Sequence, residues 1–177
     1  MPPTPLIILP CIKLPGRPFK NVDFEKLDQG VSFETKLSNR SLSYYGLSKY
    51  SYNTIVHEPK PLPSPEHYIS KIIDHLKSVL PLFEFNSLLI TKYQNGTDFI
   101  GYHSDNESEI VPKSDIVTLS FGQSRVMKFK TAIETDHPIQ EVTLDHGDML
   151  VMSQQSQSYF QHSIIPDESD EPRISQL

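Results

Sequence analysis

The segment DFIGYHSDNE, residues 98–107, sets His103 and Asp105 two positions apart at the end of an alternating apolar-polar run. Side chains two apart in a strand leave the same face, so both can meet one ion. A divalent ion needs a further donor to be held well, and His162 in YFQHSII lies on a much later apolar run. Two histidines and one carboxylate gathered on one side of an ion leave its remaining positions open, an arrangement suited to Fe(II) that takes up further ligands during reaction. Arg173, in EPRIS, adds a permanent cation whose planar fork matches a carboxylate. A His-x-Asp pair is common by chance, and the other histidines read as solvated or structural: His67 and His75 on a helix, His57 in a proline-rich loop, His137 in a polar loop, His146 opening the turn HGD.

These residues need elements to position them. Ser64 can cap a helix with Pro65 as its first residue. Ile69, Ile72, Ile73, Leu76, Val79 and Leu80 then recur at the spacing of one buried face, and Pro81 ends the pattern. After it come short apolar runs divided by turn residues: NSLLITKY, DFIGYH, DIVTLSFG, VMKFK, EVTL, MLVMS and SYFQHSII. They read as a strand series, with Asn95-Gly96 as its clearest hairpin turn. Repeated short strands behind one long helix predict a mainly β (α+β) fold, an antiparallel sandwich or jelly roll with the helix laid against it. Residues 1–40 have weak periodicity, with a short helix around Phe24 to Leu27, and read as an N-terminal extension packed on the core.

The composition bounds what such a fold can be. At 177 residues and 37% hydrophobic content the chain has material for one domain with a real core. Its single cysteine, Cys11, excludes an intramolecular disulfide framework and points to a reducing, intracellular compartment. The opening MPPTPLIILP is apolar, but prolines interrupt it and no basic region precedes it, so it makes neither a signal peptide nor a membrane span. Sixteen basic against 22 acidic residues leave a net charge of -6, which argues against a broad electrostatic grip on nucleic acid and leaves room for a local one.

The order of parts resembles the AlkB family of Fe(II)- and 2-oxoglutarate-dependent dioxygenases. The likeness is carried by RSLSYYG, LLITKYQNGTDFIGYHSDNE, IVTLSFGQSRVMKFK, LDHGDMLVMS and FQHSIIPDESDEPRIS. It implies a double-stranded β-helix with His103, Asp105 and His162 holding Fe(II). It also implies 2-oxoglutarate paired with Arg173 and contacted by Tyr93 and by Thr91, the last at a position where the family usually has asparagine. Dioxygen is the remaining co-substrate. The family's activity is oxidative demethylation: 2-oxoglutarate is decarboxylated to succinate while an N-methyl group of a base is hydroxylated and lost as formaldehyde. The implied partner is methylated DNA or RNA, taken by a monomer.

By the same resemblance, Glu107 touches the target base. A carboxylate there favours cationic 1-methyladenine or 3-methylcytosine over neutral bases. Residues 41–63 form a nucleotide lid within a domain of residues 41–177, with Tyr45, Tyr50 and Tyr52 available to stack on an extruded base. Arg125, Lys128 and Lys130 are candidate phosphate contacts. A further family arginine is expected beyond Leu177, so either the C-terminal end is truncated, as in a domain cut from a larger chain, or the last strand is altered. Two other functions stay open on these residues: an oxygenase acting on a protein or small molecule, and a catalytically weak nucleic-acid-binding domain.

Overall fold

In the computed structural model, which describes residues 9–52, 55–106, 114–133 and 138–176, the alternation in the sequence becomes two facing antiparallel sheets. The larger runs, edge to edge, through β1 (Ile12–Lys13), β11 (Met149–Met152), β8 (Ile116–Gly122), β13 (Arg173–Gln176), β6 (Ser87–Tyr93), β3 (Arg40–Gly46) and β2 (Thr35–Leu37). The smaller runs through β10 (Gln140–Leu144), β9 (Arg125–Thr131), β12 (Phe160–Ile164) and β7 (Ile100–His103). A separate hairpin pairs β4 (Tyr50–Tyr52) with β5 (Ile55–His57). This is the expected jelly roll. The segment before β3 packs on the core through Phe19, Leu27 and Val31 and supplies both edge strands of the larger sheet.

Period-two alternation gives the larger sheet two different faces. Its outer face carries Leu88, Ile90, Val117, Leu119, Phe121, Met149 and Ile174. Over them lie α1 (Phe24–Gly30) and α2 (Tyr68–Val79), whose Leu27, Ile69, Ile72 and Leu76 complete a buried cluster. Its inner face meets the smaller sheet, where Tyr93, Leu150 and Met152 pack with Met127, Phe129, Leu144 and Ile164. The apolar load is therefore split, and much of it lies under the helices. That leaves part of the space between the sheets for polar side chains.

Two local expectations are corrected. α2 begins at Tyr68, not after Ser64: His67 is extended (ψ 145°), its Nδ1 accepts the Ile69 N–H at 3.2 Å, and the Ser64 carbonyl closes a preceding turn onto the His67 N–H. The ring nitrogen satisfies the orphan donor that the serine was expected to take. Asn95-Gly96 does turn the chain, with the Asn95 carbonyl accepting from Asp98 N–H, but β6 and β7 belong to different sheets, so the turn is a crossover and not a hairpin. Glycine is required there by close approach, since a Cβ on Gly96 would meet the Asp167 carbonyl oxygen at 2.5 Å. The Gly96 carbonyl in turn accepts the Asp167 N–H at 2.8 Å.

Candidate metal centre

β7 and β12 are antiparallel neighbours whose register sets His103 directly opposite His162. Their rings lie with centroids 4.3 Å apart. Asp105, just past the end of β7, turns its carboxylate between them: Oδ1 is 3.5 Å from His103 Nε2 and Oδ2 is 3.3 Å from His162 Nε2. The donor atoms of the three residues all lie within 4.8 Å of one another. Ligands bound at about 2.0–2.2 Å to one ion stand about 3 Å apart when adjacent, so these separations suit a shared ion. The Gly101 carbonyl accepts a hydrogen bond from His103 Nδ1 at 2.9 Å, which assigns that nitrogen the proton and turns the lone pair of Nε2 to the centre.

The electrostatics favour a cation at this point. Burial works against ionisation of Asp105, but the hydrogen bonds and charges of both histidines outweigh it and hold the carboxyl well below the usual carboxylate range. Burial also opposes protonation of His103, yet the bond and charge of Asp105 prevail and raise its pKa. Asp105 Oδ2 is nonetheless buried without a hydrogen bond of acceptable geometry. A buried carboxylate oxygen in that condition is costly unless a cation compensates it. The donor set and the orphaned oxygen therefore fit Fe(II).

Beside the triad a cavity extends along the inner face of the larger sheet, lined by Thr91, Tyr93, Thr118, Ser175, Met127 and Ile164, among others. Ser175 lies between Thr91 and Ser120 in register, a row of three hydroxyls across three strands. One step along, Arg173 stands opposite Tyr93 and Gly122. Gly122 has φ +83°, and a Cβ there would meet the Pro172 carbonyl oxygen at 2.5 Å, so position 122 has no room for a side chain. Arg173 is completely buried, adjacent to the cavity lining, with its guanidinium 5.4 Å from the Tyr93 ring centroid. Nε donates to Ser120 Oγ at 3.2 Å, while Nη1 and Nη2 are buried with no acceptor. Burial lowers its pKa to about 10, which still leaves it cationic at neutral pH. Two orphaned donors on a buried cation are the complement of a carboxylate. Thr118 Oγ1, also buried and without a partner, adds a further hydroxyl to this pocket.

The other expected site residues fare differently. Thr91 and Tyr93 line the cavity. Tyr45 does not: in β3 it shares the outer face with Leu88, its cross-strand partner, and packs in the cluster under the helices, so it cannot stack on a base. Arg125 is 2% exposed, with both Nη atoms on backbone carbonyls and Nε against the Asp167 carboxylate, which rules it out as a phosphate contact. It shares its face of β9 with buried Met127 and Phe129, and that parity turns it inward. Lys128 and Lys130 alternate with them, Lys128 paired to Glu141 and Lys130 lying over the Tyr102 ring. Tyr50 and Tyr52 lie on β4, in the hairpin of the expected lid, and their side chains, like Glu107 and His137, fall outside the described residues.

Four of the residues around the site escaped the sequence reading. Gln157, on α3 (Gln154–Tyr159) and 4% exposed, accepts the Asp105 N–H on Oε1 at 3.0 Å, while Ser104 Oγ donates to the Phe160 carbonyl. Together they clamp the ligand-bearing loop onto α3 and β12. Arg40 and His57, both buried, line the cavity on the side of the hairpin. His57 is therefore no solvated loop histidine, and burial, aided by the Arg40 charge, lowers its pKa. The alternation of Arg40 with Leu42 and Tyr44 on β3 was the available signal for Arg40; no local signal marked Gln157.

Comparison with known proteins agrees with this geometry. Residues 18–176 match the model of the 2OG-Fe(II) oxygenase superfamily. The chain is 34% identical over 150 residues to the alpha-ketoglutarate-dependent dioxygenase alkB homolog 3 of Bos taurus, covering 77% of this chain and 49% of that protein. It is 30% identical over 122 residues to the DNA oxidative demethylase ALKBH2 of Homo sapiens, covering 65% and 45%. The chain thus spans about half the length of the curated relatives it matches. Among solved structures, that of OsALKBH1 superposes with a TM-score of 0.62 at 14% identity, over 97% of this chain and 99% of that one, a likeness of fold.

Proposed function

Since the chain belongs to the 2OG-Fe(II) oxygenase superfamily, we propose that it is an AlkB-type dioxygenase that removes N-methyl groups from bases of DNA or RNA. The observation that carries this reading is the pairing of a complete His-Asp-His donor set with a buried arginine whose two terminal nitrogens have no acceptor. His103, Asp105 and His162 would hold the iron, and Arg173 with Tyr93 would take the distal carboxylate of 2-oxoglutarate. Bound Fe(II), 2-oxoglutarate and dioxygen supply the oxidation: one oxygen atom goes to succinate, the other leaves with the methyl carbon as formaldehyde, and carbon dioxide is released. The rest is the work of the chain. Gln157 and Ser104 hold the Asp105 loop, Met127 and Ile164 keep the cavity apolar beside the triad, and the hydroxyls of Thr91, Thr118 and Ser175 orient a carboxylate-bearing guest.

The name of one relative, DNA oxidative demethylase ALKBH2, supports a nucleic-acid substrate. We assign Glu107 to recognition of a cationic methylated base, and Tyr50 and Tyr52 to the lid over it. The test is incubation with Fe(II), ascorbate, 2-oxoglutarate and a panel of methylated DNA and RNA oligonucleotides, following succinate, formaldehyde and loss of each methyl group. Matched succinate and formaldehyde with at least one oligonucleotide is the expected result. Succinate formed without demethylation would redirect the substrate to a protein or small molecule, and no succinate under any condition would refute the enzymatic reading.

A further inference from the structure

We infer that Arg125 is a positioning residue for the co-substrate pocket: a locked, buried cation that raises the positive potential around Tyr93 and Arg173 without touching the ligand. This rests on the reading of Arg173 as the cation that takes the co-substrate carboxylate. Nη1 of Arg125 donates to the Asn95 carbonyl at 3.2 Å, and Nη2 donates to those of Gly96, Asp98 and Ile165 at 3.3, 2.8 and 2.5 Å. All four acceptors lie on two loops, the crossover that leads into β7 and the segment that leaves β12. One side chain thus ties together the roots of the strands that carry His103 and His162.

The nature of its partners matters as much as their number. Carbonyls hold a guanidinium in place without cancelling its charge. The carboxylate in contact is that of Asp167, whose Oδ2 lies 2.9 Å from Nε, and that side chain is 37% exposed on the solvent side, where water and salt weaken its field. Inward, the Arg125 guanidinium lies 5.7 Å from the Tyr93 ring centroid and that of Arg173 lies 5.4 Å from it, so the two cations are no more than about 11 Å apart. Their mutual repulsion is unfavourable in the empty pocket and is relieved when an anion arrives. At an effective dielectric of about 20, a unit charge taken at that upper limit of about 11 Å changes the affinity for an anion held at Arg173 by about tenfold.

The experiment is titration of the Mn(II)-loaded full chain with 2-oxoglutarate under anaerobic conditions by calorimetry, which reads binding without turnover, beside the melting temperature of each variant. Arg125→Lys keeps the charge and loses most of the fan of hydrogen bonds, so it should melt lower yet bind 2-oxoglutarate within about twofold of the parent. Arg125→Met should bind about tenfold more weakly. Asp167→Asn keeps the shape and removes the screening charge, so it should bind about two- to threefold more tightly. A purely structural Arg125 predicts the reverse order: Arg125→Lys as harmful to binding as Arg125→Met, and Asp167→Asn neutral or weaker. Either result overturns the inference. Arg173→Lys is the control: if it binds as the parent does, the reading of Arg173 fails, whereas weakened binding there with no effect of charge at 125 or 167 removes this inference alone.

Discussion

Arg173→Met should make the ligand-free protein more stable and at the same time abolish its response to 2-oxoglutarate. The side chain is fully buried, its terminal nitrogens have no acceptor, and its compensation is one bond from Nε to Ser120 and its place over the Tyr93 ring. Replacing even a buried ion pair by hydrophobes of similar volume is often neutral or stabilising by about 1–4 kcal/mol, and a buried cation with no carboxylate partner has less to lose. For a chain of this size each kcal/mol moves the melting temperature by about 2–4 °C, so the variant should melt roughly 2–16 °C higher without ligands. The parent should recover on adding co-substrate, by about 2.7 kcal/mol at a hundred times its Kd, and the variant should gain nothing. Thermal melts with Mn(II), with and without 2-oxoglutarate, read both effects in one series, and the order of the two proteins should converge or invert. A variant that melts lower than the parent in the absence of 2-oxoglutarate would mean that Arg173 is a structural ion, and an undiminished ligand-induced shift would mean that another residue holds the distal carboxylate.

Alanine at His103, Asp105 or His162 should abolish iron retention and turnover while leaving the fold intact; metal content and circular dichroism of each variant check this, and full activity would remove that residue from the centre. Gln157→Ala leaves the Asp105 N–H buried without its acceptor and should weaken Fe(II) retention by about 10–100-fold in chelator competition, whereas an unchanged affinity would make α3 a mere connector. His57 has a depressed folded-state pKa, so the unfolded chain binds its proton first as the pH falls. The stability it contributes is present above its ordinary value of about 6.5 and is lost as the pH falls towards the folded-state value, so His57→Gln should flatten the fall in melting temperature below about pH 6.5. Glu107→Gln keeps the shape and loses the charge; the removal of one charge-assisted bond, about 1.5–3 kcal/mol, should lower kcat/KM on 1-methyladenine or 3-methylcytosine by about 10- to 150-fold and on a neutral methylated base by less. Equal losses on both classes would show that Glu107 only supports the loop after Asp105.

What the sequence made legible follows from which interactions are local. The spacing of His103 and Asp105 allowed them one face and the apolar run around His162 made a second strand, but it was the resemblance in the order of the parts that singled these three out before any topology was known. The turn at Asn95-Gly96 was equally visible, but its consequence was not, because a turn specifies a reversal of the chain and not which strands pair afterwards. Closure of β7 onto β12 is a pairing of strands far apart in the sequence, which no local signal marks. The same limit hid Gln157, which meets the Asp105 N–H from 52 residues away on a six-residue helix with no periodicity of its own. Arg125 and Tyr45 are a different kind of error, since their burial was readable. Arg125 has the parity of Met127 and Phe129, and Tyr45 pairs with Leu88 on the face that α2 covers.

Parity does not by itself say which face of a strand is the core, and β13 shows why the distinction decides function. In RISQ, Ile174 points into the apolar cluster beneath the helices, while Arg173 and Ser175 point between the sheets, where a sandwich ordinarily keeps its hydrophobic residues. A fold that has already buried Leu88, Ile90, Phe121 and Met149 under α1 and α2 can leave part of its inner face polar and remain stable. That displaced core makes room for the hydroxyl row, Arg173 and the triad in one enclosed place. The two helices, which touch none of the reacting groups, are thus what permits a jelly roll of this size to hold an ionic site at its centre.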